Sequence, residues 1–333
     1  MNQVRNHIIF IVLFSFLLQA CTKNENEQFV PYNNAENDTT WQSGAINTDS
    51  NAQPINEIAQ PPIVDTFQIA SGKIVSLQND SIQIAIPGNS LINSGGGLAQ
   101  GGVKIEIILL RKRGDFIRFN RTSLANVVNA INPLAMLHVR VLKNGQELSL
   151  HPNAHIVVKL KETVLPQPVF TFVGRPIKQL QDSIFTWIPY GMAEIWDEGN
   201  FPNPNYKKMG YELELPETRW TCVGTFNDTV GIPRGRINAI LPLNFTNKNT
   251  IIYALPANKK TTIRLIGDIK NKLFYANGIP KNAPLTIVSI SKIGSSYYLG
   301  NTTVSNTTAN PVIKVNPEAV TLKAITEYLD KLN

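Results

Sequence analysis

Short alternating runs of apolar residues are the feature that most restricts what this chain can fold into. Residues 81–86 read Ser-Ile-Gln-Ile-Ala-Ile, and the run ends at Pro87 and Gly88. Because successive strand side chains point to opposite faces of a sheet, this period of two predicts a strand with one buried face. Similar runs are separated by turn residues, among them the hairpin pair Asn144-Gly145. Short strands of this kind, without helical periodicity, predict an all-β chain.

The strand runs fall into two groups, which predict two β-sandwich-like domains. The first sandwich is expected within 63–165 and the second within 236–333, whereas 166–235 is less regular and predicts a strand-rich connection. One C-terminal helix is expected after Asn316 as N-cap and Pro317 as first helical residue. Its apolar stripe consists of Leu322, Ile325, Leu329 and Leu332.

The residues before the first sandwich have a different composition. Residues 1–20 carry Arg5 in a short polar start, then the strongly apolar run 8–18, then the small residue Ala20, which is the layout of a secretory signal peptide. Eleven residues of helix span about 16 Å, roughly half of a bilayer core, which argues against a membrane span. Residues 21–62 hold mainly polar residues and predict a flexible tether.

Two features stand out in and beside this tether. The segment Leu18-Gln19-Ala20-Cys21 resembles the lipobox of bacterial lipoproteins, whose cysteine is acylated and becomes the first residue of the mature protein. The resemblance implies lipidation of Cys21 and a lipid-anchored place in the outer membrane, with display at the cell surface as a further expectation. The alternative is an ordinary cleaved signal followed by a chance cysteine. Trp41 is the exception within the tether and is a candidate to dock onto a domain.

A second resemblance covers residues 66–161. Residues 84–91 read Ile-Ala-Ile-Pro-Gly-Asn-Ser-Leu, a glycine-rich loop follows, and residues 101–107 read Gly-Gly-Val-Lys-Ile-Glu-Ile. This order is similar to a module of cell-envelope lipoproteins and to the β-sandwich domain shared by zona occludens proteins, netrin receptors and ankyrins. The resemblance implies a sandwich fold and a non-enzymatic scaffold role, without naming a ligand.

The charge of the chain restricts which molecules it can bind, and its cysteine content restricts which disulfides it can form. The chain has 31 Lys and Arg against 24 Asp and Glu, and only Arg111-Lys112-Arg113 forms a basic cluster. A nucleic-acid-binding protein concentrates its positive charge on one face, so no nucleic-acid partner is expected. If Cys21 carries lipid, Cys222 has no disulfide partner, and we expect it to be a buried, inert thiol.

No recognised catalytic, nucleotide-binding or paired-cysteine metal motif occurs in the sequence. We therefore predict no catalytic residue, metal site or cofactor. The candidate ligand contacts are Trp187, Tyr190, Trp196 and Asp197. Aromatic rings stack on the apolar faces of sugars and carboxylates accept hydrogen bonds from hydroxyl groups. The alternative is that the two tryptophans pack in a core or between domains.

The sequence as a whole predicts a non-enzymatic, lipid-anchored cell-envelope protein that acts as a scaffold or binding module. Its expected partners are the membrane, through the anchor, and glycans or other envelope proteins. Two alternatives remain open. One is a carbohydrate-binding surface lipoprotein, and the other is a glycan-processing enzyme that uses carboxylates such as Glu194 and Asp197.

Overall fold

The structure, a computed structural model, describes residues 34–42, 55–179, 182–198, 207–227, 234–281, 283–305 and 311–333. The predicted signal peptide, Cys21 and parts of the predicted tether lie outside the described residues. The chain divides into two compact units, Met1–Asp38 and Thr39–Asn333. In the first unit the described residues include helix α1, Asn34–Asn37. Everything below concerns the second unit.

The second unit is mostly strand, with a short helix near its C-terminus, which confirms the predicted all-β, sandwich-like fold. Alternation of apolar and polar residues is the cause, as strand β3, Ile82–Ile86, illustrates. Its three isoleucines are buried, and Gln83 and Ala85 between them are half-buried. None of the helices in the described part of the chain is long and apolar enough to cross a bilayer.

The first part of the unit contains two sheets. Their strands are β1 Ile63–Gln68, β2 Lys73–Leu77, β3 Ile82–Ile86, β4 Leu91–Ile92, β5 Gly102–Leu110, β6 Leu124–Ala125, β7 Asn129–Lys143, β8 Gln146–Leu150, β9 Ile156–Lys161, β10 Phe170–Gln179, β11 Asp182–Met192, β12 Glu194–Glu198, β13 Lys207–Leu215 and β14 Trp220–Phe226. A nine-stranded sheet runs β1-β5-β7-β14-β10-β11-β6, with β8 beside β7 and β4 beside β8. A five-stranded sheet runs β12-β13-β9-β3-β2. Ile84 and Val158 of the smaller sheet share one core with Ile105 and Val139 of the larger sheet, so the two pack face to face.

Residues 166–235, which the sequence predicts as an irregular connection, form no separate region. β10, β11 and β14 extend the nine-stranded sheet, and β12 and β13 extend the five-stranded sheet. The chain passes from one sheet to the other between Met192 and Glu194. These strands pair with partners that are distant in sequence, such as β14 with β7 and β13 with β9. A local pattern carries no information on such pairing, which explains the difference.

The second part of the unit is built on one sheet. Its elements are β15 Arg234–Ile240, β16 Thr250–Pro256, β17 Ile263–Asp268, β18 Leu273–Pro280, β19 Leu285–Ile293, β20 Ser296–Val304, β21 Val312–Lys314, β22 Glu318–Val320 and helix α3, Leu322–Asp330. The strand order is β21-β15-β18-β17-β16-β19-β20-β22. The sheet curves back toward itself, since the Thr302 hydroxyl in β20 donates a hydrogen bond of 3.3 Å to the carbonyl of Lys314 in β21. The sandwich-like packing therefore comes from one curved sheet that encloses its own apolar core.

Helix α3 begins later than the sequence predicts. Its N-cap is Thr321, whose hydroxyl accepts a hydrogen bond from the backbone N–H of Ala324 at 3.1 Å. The predicted cap at Asn316 is wrong because Glu318–Val320 pairs with β20 as a strand, and Thr321 satisfies the cap rules equally well. The predicted apolar stripe of the helix packs on the second sheet, where Ile325 and Leu329 are fully buried.

Helix α3 also holds the two parts together through helix α2, Arg113–Arg118, which follows β5. The backbone N–H of Gly114 donates to the carbonyl of Leu332 at 3.3 Å. Arg118, which is 1% exposed, donates to the carbonyl of Thr326 and to Asp330, each at 2.8 Å. The C-terminal helix therefore connects the first sandwich to the curved sheet.

The described residues of the predicted tether do not behave as a tether. The ring of Trp41 lies 4.9 Å from the ring of Phe274, centroid to centroid, at the core of the curved sheet. Gln42 exchanges two backbone hydrogen bonds with the Asn247 side chain, at 2.9 and 2.8 Å. Ile58, 5% exposed, packs in the cluster that α3 covers. The reason is that isolated apolar side chains within a polar segment gain free energy by docking on an apolar surface.

Candidate functional site

Trp187 is a core residue, so the prediction that it contacts a ligand is wrong. It is fully buried on β11, and its indole Nε1–H donates to the carbonyl of Thr122 at 2.6 Å. The ring of Phe185 meets it edge to face at 5.0 Å between centroids. The segment that follows α2 covers this face of the nine-stranded sheet. The alternative interpretation, that this tryptophan packs in a core, is the one that the structure supports for Trp187.

Trp196 has a different environment. It lies on β12 directly opposite Gly210 of β13, on the outer face of the five-stranded sheet, and it is half-buried. The ammonium Nζ of Lys159 lies 5.5 Å from the centroid of its ring. Neighbouring Asp197 is exposed, follows a bulge in β12 and is opposite Lys208. These two side chains therefore lie on the surface of the sheet, and Trp196 has a cation over its ring.

Tyr190 lies in a groove where the chain passes from β11 to β12. Tyr190 is 48% exposed and Met192 is 69% exposed, which is unusual for side chains of this size. The groove has a cavity volume of about 210 Å³ and opens to solvent. Its lining consists of Thr171, Tyr190, Gly191, Met192, Glu194, Glu212, Leu213 and Glu214. Of the four predicted contacts, the groove includes Tyr190 and excludes Trp187, Trp196 and Asp197.

Three carboxylates line this groove. Glu194 of β12 is directly opposite Glu212 of β13, and Glu214 lies two residues further along the same face of β13. Lys159 Nζ lies 3.3 Å from Glu212 Oε2, and His155 Nδ1 lies 3.8 Å from Glu214 Oε2. Within the described ranges, no cation lies within ion-pair distance of Glu194. The groove is therefore acidic, although the whole chain carries a net charge of +7.

Met192, Glu212 and Glu214 are groove residues that are not among the contacts predicted from the sequence. The alternation Tyr-Glu-Leu-Glu-Leu in 211–215 is a signal that Glu212 and Glu214 point away from the core. The sequence does not show which strands pair. Only the structure shows that β12 brings Glu194 opposite Glu212.

Cys222 and His138 are titratable groups that lie outside the groove. Burial raises the pKa of the Cys222 thiol, which is fully buried, so the prediction of a buried, inert cysteine is confirmed. Burial, with a smaller effect of nearby Arg121, lowers the pKa of His138 to about 4. The His138 ring stacks on Trp220 at 4.8 Å between centroids. Both groups are held in uncharged form at neutral pH, and both are part of the packing.

The exposed carboxylates suit recognition better than proton transfer. Enzymes usually tune a carboxylic acid for catalysis by burying it, whereas Glu194 and Asp197 are exposed on β12. Across the residues that the structure describes, no three or more His, Cys, Asp or Glu side chains come together as a metal site. Exposed carboxylates next to apolar side chains can accept hydrogen bonds or pair with cations.

Comparison with known protein families and with curated proteins finds no match to this chain. The class of protein is therefore defined by its fold, an all-β, sandwich-like chain. The two resemblances stated from the sequence stay predictions.

Proposed function

We propose that this chain is a non-enzymatic, lipid-anchored protein of the bacterial cell envelope that acts as a scaffold or binding module. The observation that carries the proposal is Cys21, placed directly after Ala20 at the end of a segment with the layout of a secretory signal. Such a cysteine supplies the thiol that lipoprotein processing acylates. The outer membrane is the proposed location.

The way in which the two parts of the body are joined supports a scaffold role. The backbone N–H of Ser123 donates to the carbonyl of Thr262 at 2.6 Å, and the Thr261 hydroxyl donates to the carbonyl of Ile131 at 2.7 Å. The Tyr253 hydroxyl donates to the Asn120 side chain at 2.7 Å. Buried hydrogen bonds are costly to break, because each leaves an unsatisfied polar group. A junction of this kind favours a fixed arrangement over a hinge.

The energetics of lipid insertion set a requirement for the anchor. Each buried methylene contributes about 0.8 kcal/mol, and a single chain gives only reversible attachment. Stable anchoring therefore requires more than one acyl chain on Cys21.

The test is metabolic labelling of the full-length protein in a Gram-negative host with an alkyne analogue of palmitate. Wild type should incorporate the label and sediment with outer membranes. Cys21→Ser should lose the label and the membrane association. Cys222→Ser is the matched control, because it removes the other cysteine of the chain, and it should keep the label. Labelling of Cys21→Ser at the wild-type level would refute the proposal.

The geometry supports the alternative of carbohydrate binding less well than a general binding module. Tyr190 is an exposed ring beside carboxylates, as a sugar site requires, but Trp187 is buried and Trp196 has Lys159 over its ring. A platform of adjacent exposed rings is therefore lacking among the described residues.

A further inference from the structure

The groove beneath Tyr190 combines charge and exposed apolar surface in a way that folding does not require. Glu194 and Glu212 are directly opposite each other on adjacent strands, where like charges destabilise a sheet. Tyr190 and Met192 expose about half or more of their surface beside them. Neither feature stabilises the sheet, so both suggest a partner that supplies the missing contacts.

The polar floor of the groove is a further, independent observation. Thr171 lines the groove although only 2% of its surface is exposed. Its hydroxyl makes no hydrogen bond to another residue in the described part of the chain. A threonine hydroxyl in the lining of a groove, without a partner in the protein, can exchange a hydrogen bond with a ligand.

We propose that this groove binds a basic, extended segment of a partner protein, an inference that rests on the proposed role as a binding module. A lysine or arginine side chain enters with its aliphatic part against Tyr190 and Met192 and its cation between Glu194 and Glu212. Long cationic side chains bury their stems on apolar surface in this way, and a cation near a tyrosine ring gains cation–π energy.

Charge complementarity selects this partner. Lys159 pairs with Glu212 and His155 approaches Glu214, which leaves an excess of negative charge around Glu194. The rest of the chain is basic, so the acidity of the groove is local. An added cation relieves the repulsion between the opposed carboxylates, whereas a neutral sugar does not.

The position of the groove suits an extended segment. β12 is the outermost strand of the five-stranded sheet, and Glu194 begins it. Extended peptides commonly bind beside outermost strands, where the backbone supplies hydrogen bonds and pockets select alternate side chains. The groove then acts as the pocket for one basic side chain.

The test is fluorescence anisotropy with the full-length protein in detergent. The probe is a labelled peptide that alternates lysine and alanine, and its neutral counterpart has glutamine in place of lysine. The lysine peptide should bind, the glutamine peptide should not, and binding should weaken strongly at about 0.5 M salt because screening shortens the range of charge interactions.

Three variants test the site. Glu194→Gln should weaken binding roughly two- to five-fold, as expected for one exposed ion pair, and it should fold normally because it removes a repulsion. Tyr190→Ala should weaken binding by a similar factor. Glu147→Gln, an exposed carboxylate on β8, is the matched control and should bind like wild type.

Three results would overturn the inference. The first is equal binding of the lysine and glutamine peptides, and the second is unchanged binding by Glu194→Gln. The third is binding of a neutral oligosaccharide that Tyr190→Ala abolishes and salt leaves intact, which would assign the groove to glycans. None of these results affects the labelling of Cys21, so the two proposals fail separately.

Discussion

Gly114 in α2 lies directly against the backbone of α3, and its replacement by alanine tests how the two parts of the body are joined. A Cβ atom at this position would overlap the carbonyl oxygen of Leu329 and lie 2.7 Å from its carbonyl carbon. The neighbour is backbone, so it cannot rotate away as a side chain does. We therefore expect Gly114→Ala to displace α3 from α2.

Two effects of opposite sign decide the magnitude. In a helix that makes no such contact, replacement of glycine by alanine stabilises by about 0.5–1 kcal/mol. Displacement of α3 loosens Ile325 and Leu329, both fully buried, and burial of each is worth about 1.5–3 kcal/mol. Partial loss of the burial of Ile325 and Leu329 costs more free energy than alanine gains over glycine in a helix. We therefore expect a net destabilisation of about 2–4 kcal/mol.

Urea denaturation of the purified protein, followed by far-UV circular dichroism, gives the change in the free energy of unfolding. Gly97→Ala is the control, because a Cβ added to Gly97 would meet no atom within 4 Å and its φ is not positive. It should change stability by no more than about 0.5 kcal/mol. A Gly114→Ala protein as stable as wild type would refute the proposed tight contact between the helices.

Two further substitutions test the packing of the predicted ligand contacts and the tether. Trp187→Phe removes the donor to the Thr122 carbonyl and leaves a cavity, so unfolding should become easier by about 2–4 kcal/mol; unchanged stability in urea would contradict its place in the core. Trp41→Ala should cost about 1–3 kcal/mol, less than for a fully buried tryptophan, because Trp41 is half-buried against Phe274; thermal unfolding at the wild-type midpoint would show that these residues do behave as a tether.

The fold was predictable from the sequence where local patterns decide it. The isoleucines of β3 alternate with polar or small residues, and their burial follows directly from the period of two. Trp220 and Cys222 are two positions apart in a strand, so the same period puts them on one face, and both lie in the cluster on the outer side of the nine-stranded sheet. These outcomes depend on neighbouring residues alone, so a local argument was sufficient.

The candidate site was much less predictable, because it depends on pairing between distant segments. Trp187 and Trp196 look alike in the sequence, but β11 lies under the segment after α2, whereas β12 is the outermost strand of its sheet. Glu194 and Glu212 are separated by 18 positions and face each other only because β12 and β13 pair in this register. Aromatic content identified the right part of the chain, and strand pairing decided which side chains are accessible.

The positions of the docked tether residues and of the groove bear on how an anchored protein would present its binding surface. Trp41 and Ile58 pack on the curved sheet and its helix, whereas the groove lies on the first sandwich. If Cys21 is anchored as proposed above, these docked residues would link the anchor to the body at contacts that lie outside the lining of the groove. Because buried hydrogen bonds such as that between Ser123 and Thr262 join the two parts, the groove keeps a fixed relation to the docked tether residues. For the binding module proposed above, such an arrangement would hold a partner at a set position relative to the docked residues, and the contacts of α3 with α2 would help to maintain that position.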